Sequence, residues 1–290
     1  MKNQVYQMVT DRICEMLNEG IIPWRKPWRG EKASAEDTAI SYTSRRAYSL
    51  INQWLLGGRP GEYLTWGEIQ KLGGAVKKGA KSGMIVFYTK ASYTKKNEDT
   101  NEDELVTYPL LRYYNVFHIE DTEGIPSKAV KGEKVEIETD QFADTVIADY
   151  VLREGIRFQN NKHSDKAFYC PATDEVVVPM VSQYSEIAEY YSTTFHELTH
   201  STGKKSRCDR EDEKRGSHFG NTQYSREELV AEIGASMLCS RCGVSIAKAF
   251  KNSVAYIQSW LKALKNDPNM IMWAAGRAEK AAKYIMNEAV

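Results

Sequence analysis

"TTFHELTHSTG", residues 193–203, decides how the chain is read, because it sets His196, Glu197 and His200 in the order His-Glu-x-x-His. On a helix, residues four apart lie on one face a turn apart, so both imidazoles can offer a ring nitrogen to one metal ion. Glu197, beside the first histidine, is placed to take a proton from a metal-bound water whose pKa the cation has lowered toward neutrality. Five residues are a short pattern, met by chance in roughly one chain in a hundred. The surroundings have to support it.

They do so on three counts. "SQYSEIAEYYSTTFHELTHSTG" reads as one helix that stops at Gly203, so the motif falls on the element that its spacing needs. "KAFYCPATDEVVVP", before it, reads as a β-hairpin with "PATD" at the turn. "SREELVAEIGASMLCSRCG", after it, reads as a second helix with Ser225 as N-cap and Glu228 three residues on, a capping-box pattern. Two histidines do not hold a catalytic zinc ion, and this second helix offers Glu227, Glu228 and Glu232 as further oxygen donors.

Glu228 and Glu232 share a face, which lets one bind the metal while the other hydrogen-bonds a ligating histidine from behind. The arrangement resembles the second signature of the gluzincin, thermolysin-like metallopeptidases, in which the earlier glutamate is the ligand. Glu228 is therefore expected as the third ligand and Glu232 as its support, with the reverse assignment left open; Glu227 is expected to be a solvated acid. Tyr224 and His218 could donate hydrogen bonds to a tetrahedral intermediate, a loop histidine and a packing tyrosine being the plainer alternatives. "VVVP", residues 176–179, is either an edge strand able to align a peptide by β-addition or a buried strand. Cys239 and Cys242 form a lone Cys-x-x-Cys without two further ligands at suitable spacing, and read as small helix residues.

The chain has 290 residues, 42% of them apolar, enough for two ordinary domains. Its five cysteines are an odd number at irregular spacing, poor material for a disulfide framework, so a reducing, cytoplasmic setting is expected. No export signal is recognisable and no apolar run approaches 18 residues, so no membrane association is expected. The formal net charge of zero hides an asymmetry. Residues 1–97 hold 16 Lys or Arg against 8 Asp or Glu, leaving 23 against 31 for the remainder. A basic unit joined to an acidic one points to a polyanion partner, or else to charges that only solvate a surface.

In the basic part, Val5 to Asn18 has helical periodicity, "IPWRKPWRG" (22–30) reads as an extended loop, and "RAYSLINQWLLGG" (46–58) as a helix ended by its glycines. "YLTWGEIQKLGG" (63–74) reads as a short helix opened by Thr65, and "GMIVFYTKASYT" (83–94) and "YPLLRYYNVFHI" (108–119) as strands. The polar insert between them, residues 95–107, is expected as an exposed hairpin loop. Residues 123–140 have the composition of a linker. The helical segments 141–155, 252–267 and 272–286 complete the second part. The expected fold is α+β in two domains, residues 1–125 and 141–290, joined by a linker at 126–140, the second being mainly helical.

Binding single strands without sequence preference needs cations along a groove and aromatic faces on which bases stack. Trp24, Arg25, Lys26 and Trp28 alternate ring and charge in one loop, Arg45 and Arg46 follow, and Lys77, Lys78 and Lys81 sit in the glycine-interrupted "GGAVKKGAKSG". Phe87, Tyr88, Arg112, Tyr113 and Tyr114 would decorate the sheet, although every second strand aromatic is expected to be core.

The two halves together resemble the ArdC-type antirestriction proteins of plasmids and other mobile elements, including LtrC-like proteins, over nearly the full chain. "IPWRKPW", "YSLINQWLL", "YLTWGEIQKLGGAVKKGAKS" and "LRYYNVFHIEDTEGIP" resemble that family's N-terminal domain, and "AFYCPATDEVVVP", "TTFHELTHSTG" and "SREELVAEIGAS" its zincin-like, gluzincin-like metallopeptidase domain. The resemblance implies a single-stranded-DNA-binding protein that helps a mobile element evade restriction. It also implies Zn2+ at His196, His200 and a glutamate of "EELVAE", and a protein or peptide as the substrate class if the second domain hydrolyses. A peptidase fold can be kept for another role, so a purely DNA-binding protective protein with a structural or vestigial zinc site is the alternative.

Overall fold

The first helix, α1 (Lys2–Asn18), forms because Val9, Ile13 and Leu17 recur at helical spacing and are fully buried on one side. Burying each such side chain stabilises by about 1.5–3 kcal/mol. The computed structural model describes residues 2–25, 38–96, 103–129, 139–210, 222–245 and 253–289. After α1 come β1 (Ala39–Ser41), α2 (Leu50–Leu55), β2 (Gly61–Thr65), α3 (Trp66–Lys71), β3 (Ala75–Val76), β4 (Gly83–Lys96), β5 (Asp103–His118) and β6 (Thr122–Glu123). The remainder of the described chain holds α4 (Thr139–Glu154), β7 (Arg157–Gln159), β8 (Phe168–Cys170), β9 (Glu175–Val177), α5 (Ile187–Ser201), α6 (Thr222–Arg241), α7 (Ser253–Asn266) and α8 (Met270–Ile285). The architecture is α+β, as the sequence predicts.

The main sheet runs β1-β2-β5-β4, antiparallel except for the β1–β2 pair. Its outer strand β4 is held at the edge by Asn52, whose side chain donates to Val86 O at 2.9 Å and accepts from Val86 N at 2.7 Å. That amide satisfies backbone groups which would otherwise be an open template for another strand. Thr65 opens α3, as expected, and adds a capping box with Glu68; the residues before it form β2. The polar insert is not a loop from residue 95 onward: the β4–β5 ladder continues to the pair Lys96–Asp103. Alternating side chains let a charged segment sit in an exposed hairpin without burying charge.

One large apolar cluster joins the two parts of the chain. Val9 and Ile13 of α1 and Trp54 of α2 belong to the same core as Leu229 and Ile233 of α6 and Ala274 of α8. Trp24 lies there too, 5.8 Å from the Trp54 ring centroid and 6.5 Å from that of Trp260 on α7. The loop after α1 closes into a 3-10 turn at Pro23–Arg25, and this swings the indole inward. Thr10 adds a hydrogen bond from its hydroxyl to Pro268 O at 2.7 Å.

A second cluster joins α4, α5, α6 and α8 with the three-stranded sheet β7-β9-β8. The "PATD" turn makes the β8–β9 hairpin as predicted, with Asp174 in the left-handed region at φ 50°. The strand of "VVVP" is central, paired on both sides, so it cannot accept an added strand; β7 and β8 are the edges. The helix α6 begins at Thr222, which places Ser225 inside the first turn instead of at the cap.

Candidate metal centre

Two helices build the site. His196, Glu197 and His200 lie on α5, and Glu228 on α6. The helices approach closely because Gly234 faces Thr199: a β-carbon added there would lie 2.6 Å from Thr199 Cγ2 and 2.8 Å from its Oγ1. Absence of a side chain at that point lets the "EELVAE" turn come down onto the histidines.

His196, His200 and Glu228 form the metal-competent cluster found among the described residues. The two Nε2 atoms are 3.1 Å apart, and Glu228 oxygens stand 3.5 Å from His196 Nε2 and 3.4 Å from His200 Nε2. Donor atoms held tetrahedrally about 2.0–2.1 Å from one ion are separated by about 3.3–3.4 Å. The donor set therefore fits a small divalent cation in both chemistry and spacing. Glu232 is half-buried one turn beyond and is not part of this cluster.

The carboxylate behind His200 is Glu227, which the sequence suggested was solvated. It is buried, 3.4 Å from His200 Nδ1, and its oxygens accept from Arg210 Nε at 3.1 Å and Nη2 at 2.9 Å. Arg210, itself only 2% exposed, also donates to Thr202 Oγ1 and Thr199 O, both at 2.9 Å. A guanidinium buried among these acceptors fixes the carboxylate, and the carboxylate fixes the imidazole. Burial opposes a charged His200, but its hydrogen bonds to Glu227 and Glu228 and their negative charges outweigh it and raise its pKa to about 9. Proton and metal ion thus compete for one nitrogen. Burial likewise opposes ionised Glu228, yet its histidine partners hold it below the usual carboxylate range.

Glu197 is 8% exposed, and burial raises its proton affinity against the opposing charges of His196 and His200 and a hydrogen bond from the Tyr169 backbone. Tyr169 belongs to edge strand β8, so a free edge of the small sheet lies beside the acid–base candidate. Tyr224 has a helical backbone within α6, and its side chain, like the whole of His218, lies outside the described residues.

The sequence-based nucleic-acid candidates divide. Trp24 is buried and offers no face to a base. Lys26 and Trp28 lie outside the described residues, as does the side chain of Arg25. Arg45 pairs with the buried carboxylate of Glu62, which also accepts from Ser127 Oγ at 2.6 Å and so ties down the start of the predicted linker. Arg46, Lys77, Lys78 and Lys81 are exposed, Lys77 donating to Glu120 O at 2.7 Å. Both cysteines of the Cys-x-x-Cys are buried, Cys239 on α6 and Cys242 in the turn just beyond its last residue Arg241 rather than in a helix, and all five cysteines are unpaired.

The helix pair and its donor set define a zincin-like domain, and residues 147–277 match the family model of a zincin-like metallopeptidase. Residues 3–117 match the N-terminal domain of anti-restriction factor ArdC. The metal-free crystal structure of the antirestriction ArdC protein from plasmid R388 is 30% identical, with a TM-score of 0.70, covering 99% of this chain and all of that one. Its Mn(II)-bound structure is 32% identical with a TM-score of 0.71, covering 98% and 97%. The chain belongs to the ArdC antirestriction family. It is also 31% identical over 304 residues to a DNA primase TraC of Escherichia coli, and 27% identical over 300 residues to another. It spans only 27% and 20% of those proteins' lengths, while covering 98–99% of itself. The uncharacterised protein y4eC of Sinorhizobium fredii is 28% identical over 294 residues, with 97% of this chain and 91% of that one covered. Among the described residues no helix is long and apolar enough to cross a membrane.

Proposed function

We propose that the protein is a cytoplasmic antirestriction protein of a mobile element. Its residues 1–125 bind single-stranded DNA, and residues 141–290, reached through 126–140, carry a zinc-dependent peptidase-like centre. The observation that carries the second half is the 3.1–3.5 Å triangle of His196, His200 and Glu228 with Glu197 alongside. Two imidazoles and a carboxylate suit Zn2+, and the Mn(II)-bound relative supports a divalent ion at large.

A zinc ion held by these three residues supplies Lewis acidity and lowers the pKa of a water toward neutrality. Glu197 takes the proton from the attacking water and delivers it to the departing amine; its burial keeps its proton affinity suited to both steps. Glu227 keeps His200 facing the centre. The free edge of β8 aligns an extended peptide by backbone hydrogen bonds. Tyr224, one turn before Glu228 on α6, is the candidate donor to the developing oxyanion.

Metal analysis and Zn2+ and Mn2+ titration of the purified protein test the site, with one ion per chain expected, lost in His196→Ala. Glu197→Gln should retain the ion and abolish hydrolysis. If protection of incoming DNA survives that substitution unchanged, the centre serves structure and DNA binding alone accounts for the role. The exposed Arg46, Lys77, Lys78 and Lys81 supply the phosphate contacts, so binding to an oligonucleotide should fall steeply with salt.

A further inference from the structure

The two faces of the β4–β5 hairpin have different company. Val86 and Leu111 point into the large core beneath α1 and α2, and on that side Tyr88 is held by a 2.9 Å hydrogen bond between its hydroxyl and that of Tyr6. The opposite face carries Ile85, Phe87, Arg112, Tyr114 and Val116, which the register pairs as Ile85–Tyr114 and Phe87–Arg112. Residues directly opposed share a face, and those two apart along a strand do as well.

Among the described residues, only one end of this face is covered. Ile85 and Val116 are buried beneath Leu56 and Tyr63. From there a row of rings leads outward: Tyr63 to Tyr48 at 6.4 Å between centroids, Tyr48 to Phe87 at 6.1 Å, and Phe87 to Tyr114 at 6.3 Å. The outer rings are the open ones, 43% exposed at Phe87 and 38% at Tyr114 against 4% at Tyr63. Rings anchored at one end and bare at the other are rigid, cost little entropy to use, and leave apolar area for a ligand to cover.

Charge selects among ligands. Arg112 stands across the ladder from Phe87 and beside Tyr114 on the same face, exposed, and among the described residues no carboxylate pairs with it. An exposed guanidinium beside two open rings suits a chain that alternates flat bases with phosphates, and an apolar protein helix would leave that charge unanswered. We propose that Phe87 and Tyr114, with Arg112 beside them on the same face, form the base-stacking platform on which single-stranded DNA is held. This rests on the single-stranded-DNA reading above and gives it a place: phosphates meet the lysines and arginines, while bases meet these two rings.

The test compares oligo-dT with an abasic strand of equal length, using fluorescence anisotropy on the full chain. The native protein should prefer oligo-dT. Phe87→Leu with Tyr114→Leu, which keep apolar bulk against Tyr48, should weaken oligo-dT binding about tenfold or more and leave the abasic strand unchanged. Phe87→Trp should preserve the preference, and Arg112→Ala should weaken both strands. Equal binding of the two strands by the native protein, or undiminished oligo-dT binding by the folded double variant, overturns the platform while leaving DNA binding in place. Failure of the native protein to bind either strand at low salt overturns the DNA reading itself.

Discussion

Arg210 forms a two-pronged ion pair with Glu227, at 2.9 and 3.1 Å, in the interior beneath the histidine helix. The carboxylate it neutralises is the one that contacts His200 Nδ1. Removing Arg210 alone would strip the buried Glu227 carboxylate of two charge-assisted hydrogen bonds, and breaking a buried pair costs about 3–5 kcal/mol. Arg210→Ala should accordingly lower the unfolding free energy by about that amount, measured by denaturant titration. The paired change Arg210→Met with Glu227→Gln should recover most of the loss. Metal affinity should stay depressed about 10- to 100-fold in the paired variant, as in Glu227→Gln alone. Recovery of stability without recovery of affinity separates orienting the ligand from holding the fold.

The contact between Gly234 and Thr199 sets the spacing of the two ligand helices. Alanine is the better helix former by about 1 kcal/mol, yet Gly234→Ala should destabilise the protein by about 1–3 kcal/mol through overpacking. Calorimetry would show a lowered Tm, and Zn2+ titration a weaker site. Adding Thr199→Ala should relieve both. A stabilised Gly234→Ala variant with native metal affinity would mean that the helices are not in contact there.

Acid should attack the turn before the site. Burial opposes ionised Asp174, but hydrogen bonds from Arg207, Lys204 and Tyr169 hold its pKa down to about 2, from an ordinary 3.8. A depressed carboxylate contributes stability above its unfolded pKa and loses it as pH falls toward the folded one. Asp174→Asn should therefore be less stable than the native protein at pH 5 and above, and the difference should shrink between about pH 4 and pH 2. A gap of constant size across that range would assign the effect to packing.

Trp24 and Phe87 offer opposite expectations for two aromatics of the same unit. Trp24→Ala should cost about 3–5 kcal/mol of stability, whereas Trp24→Phe, which keeps a ring in the core, should leave oligonucleotide affinity unchanged. A folded Trp24→Phe variant with impaired binding would return this ring to the DNA surface.

What the sequence discloses follows the range over which each cause acts. The histidine helix, the β8–β9 hairpin and the Thr65 cap depend on neighbours within a few residues, and the structure has them where spacing predicts. Glu228 lies where the same logic seeks a third donor, on the next helix and clustered with His196 and His200. Glu227 is not legible in that way: its burial depends on Arg210, 17 residues away in a turn that leaves no periodic trace. Trp24 looked exposed because prolines and cations surround it, while the partner that buries it, Trp260, stands near the other end of the chain. The strands β1 and β7, three residues each, are too short to display an alternation. The polar hairpin beyond Lys95 was hidden for a different reason, because an exposed ladder tolerates the residues that mark loops.

The core that Val9 and Trp54 share with Leu229 and Ile233 also bears on how such proteins are inherited. Glu228 sits immediately before Leu229, so the helix that carries it is seated on side chains encoded in the first fifth of the chain. A recombination event that exchanged one half at residues 126–140 would join two surfaces with mismatched apolar relief. A transplanted half should therefore fold less stably until the apolar side chains of its counterpart are refitted to it.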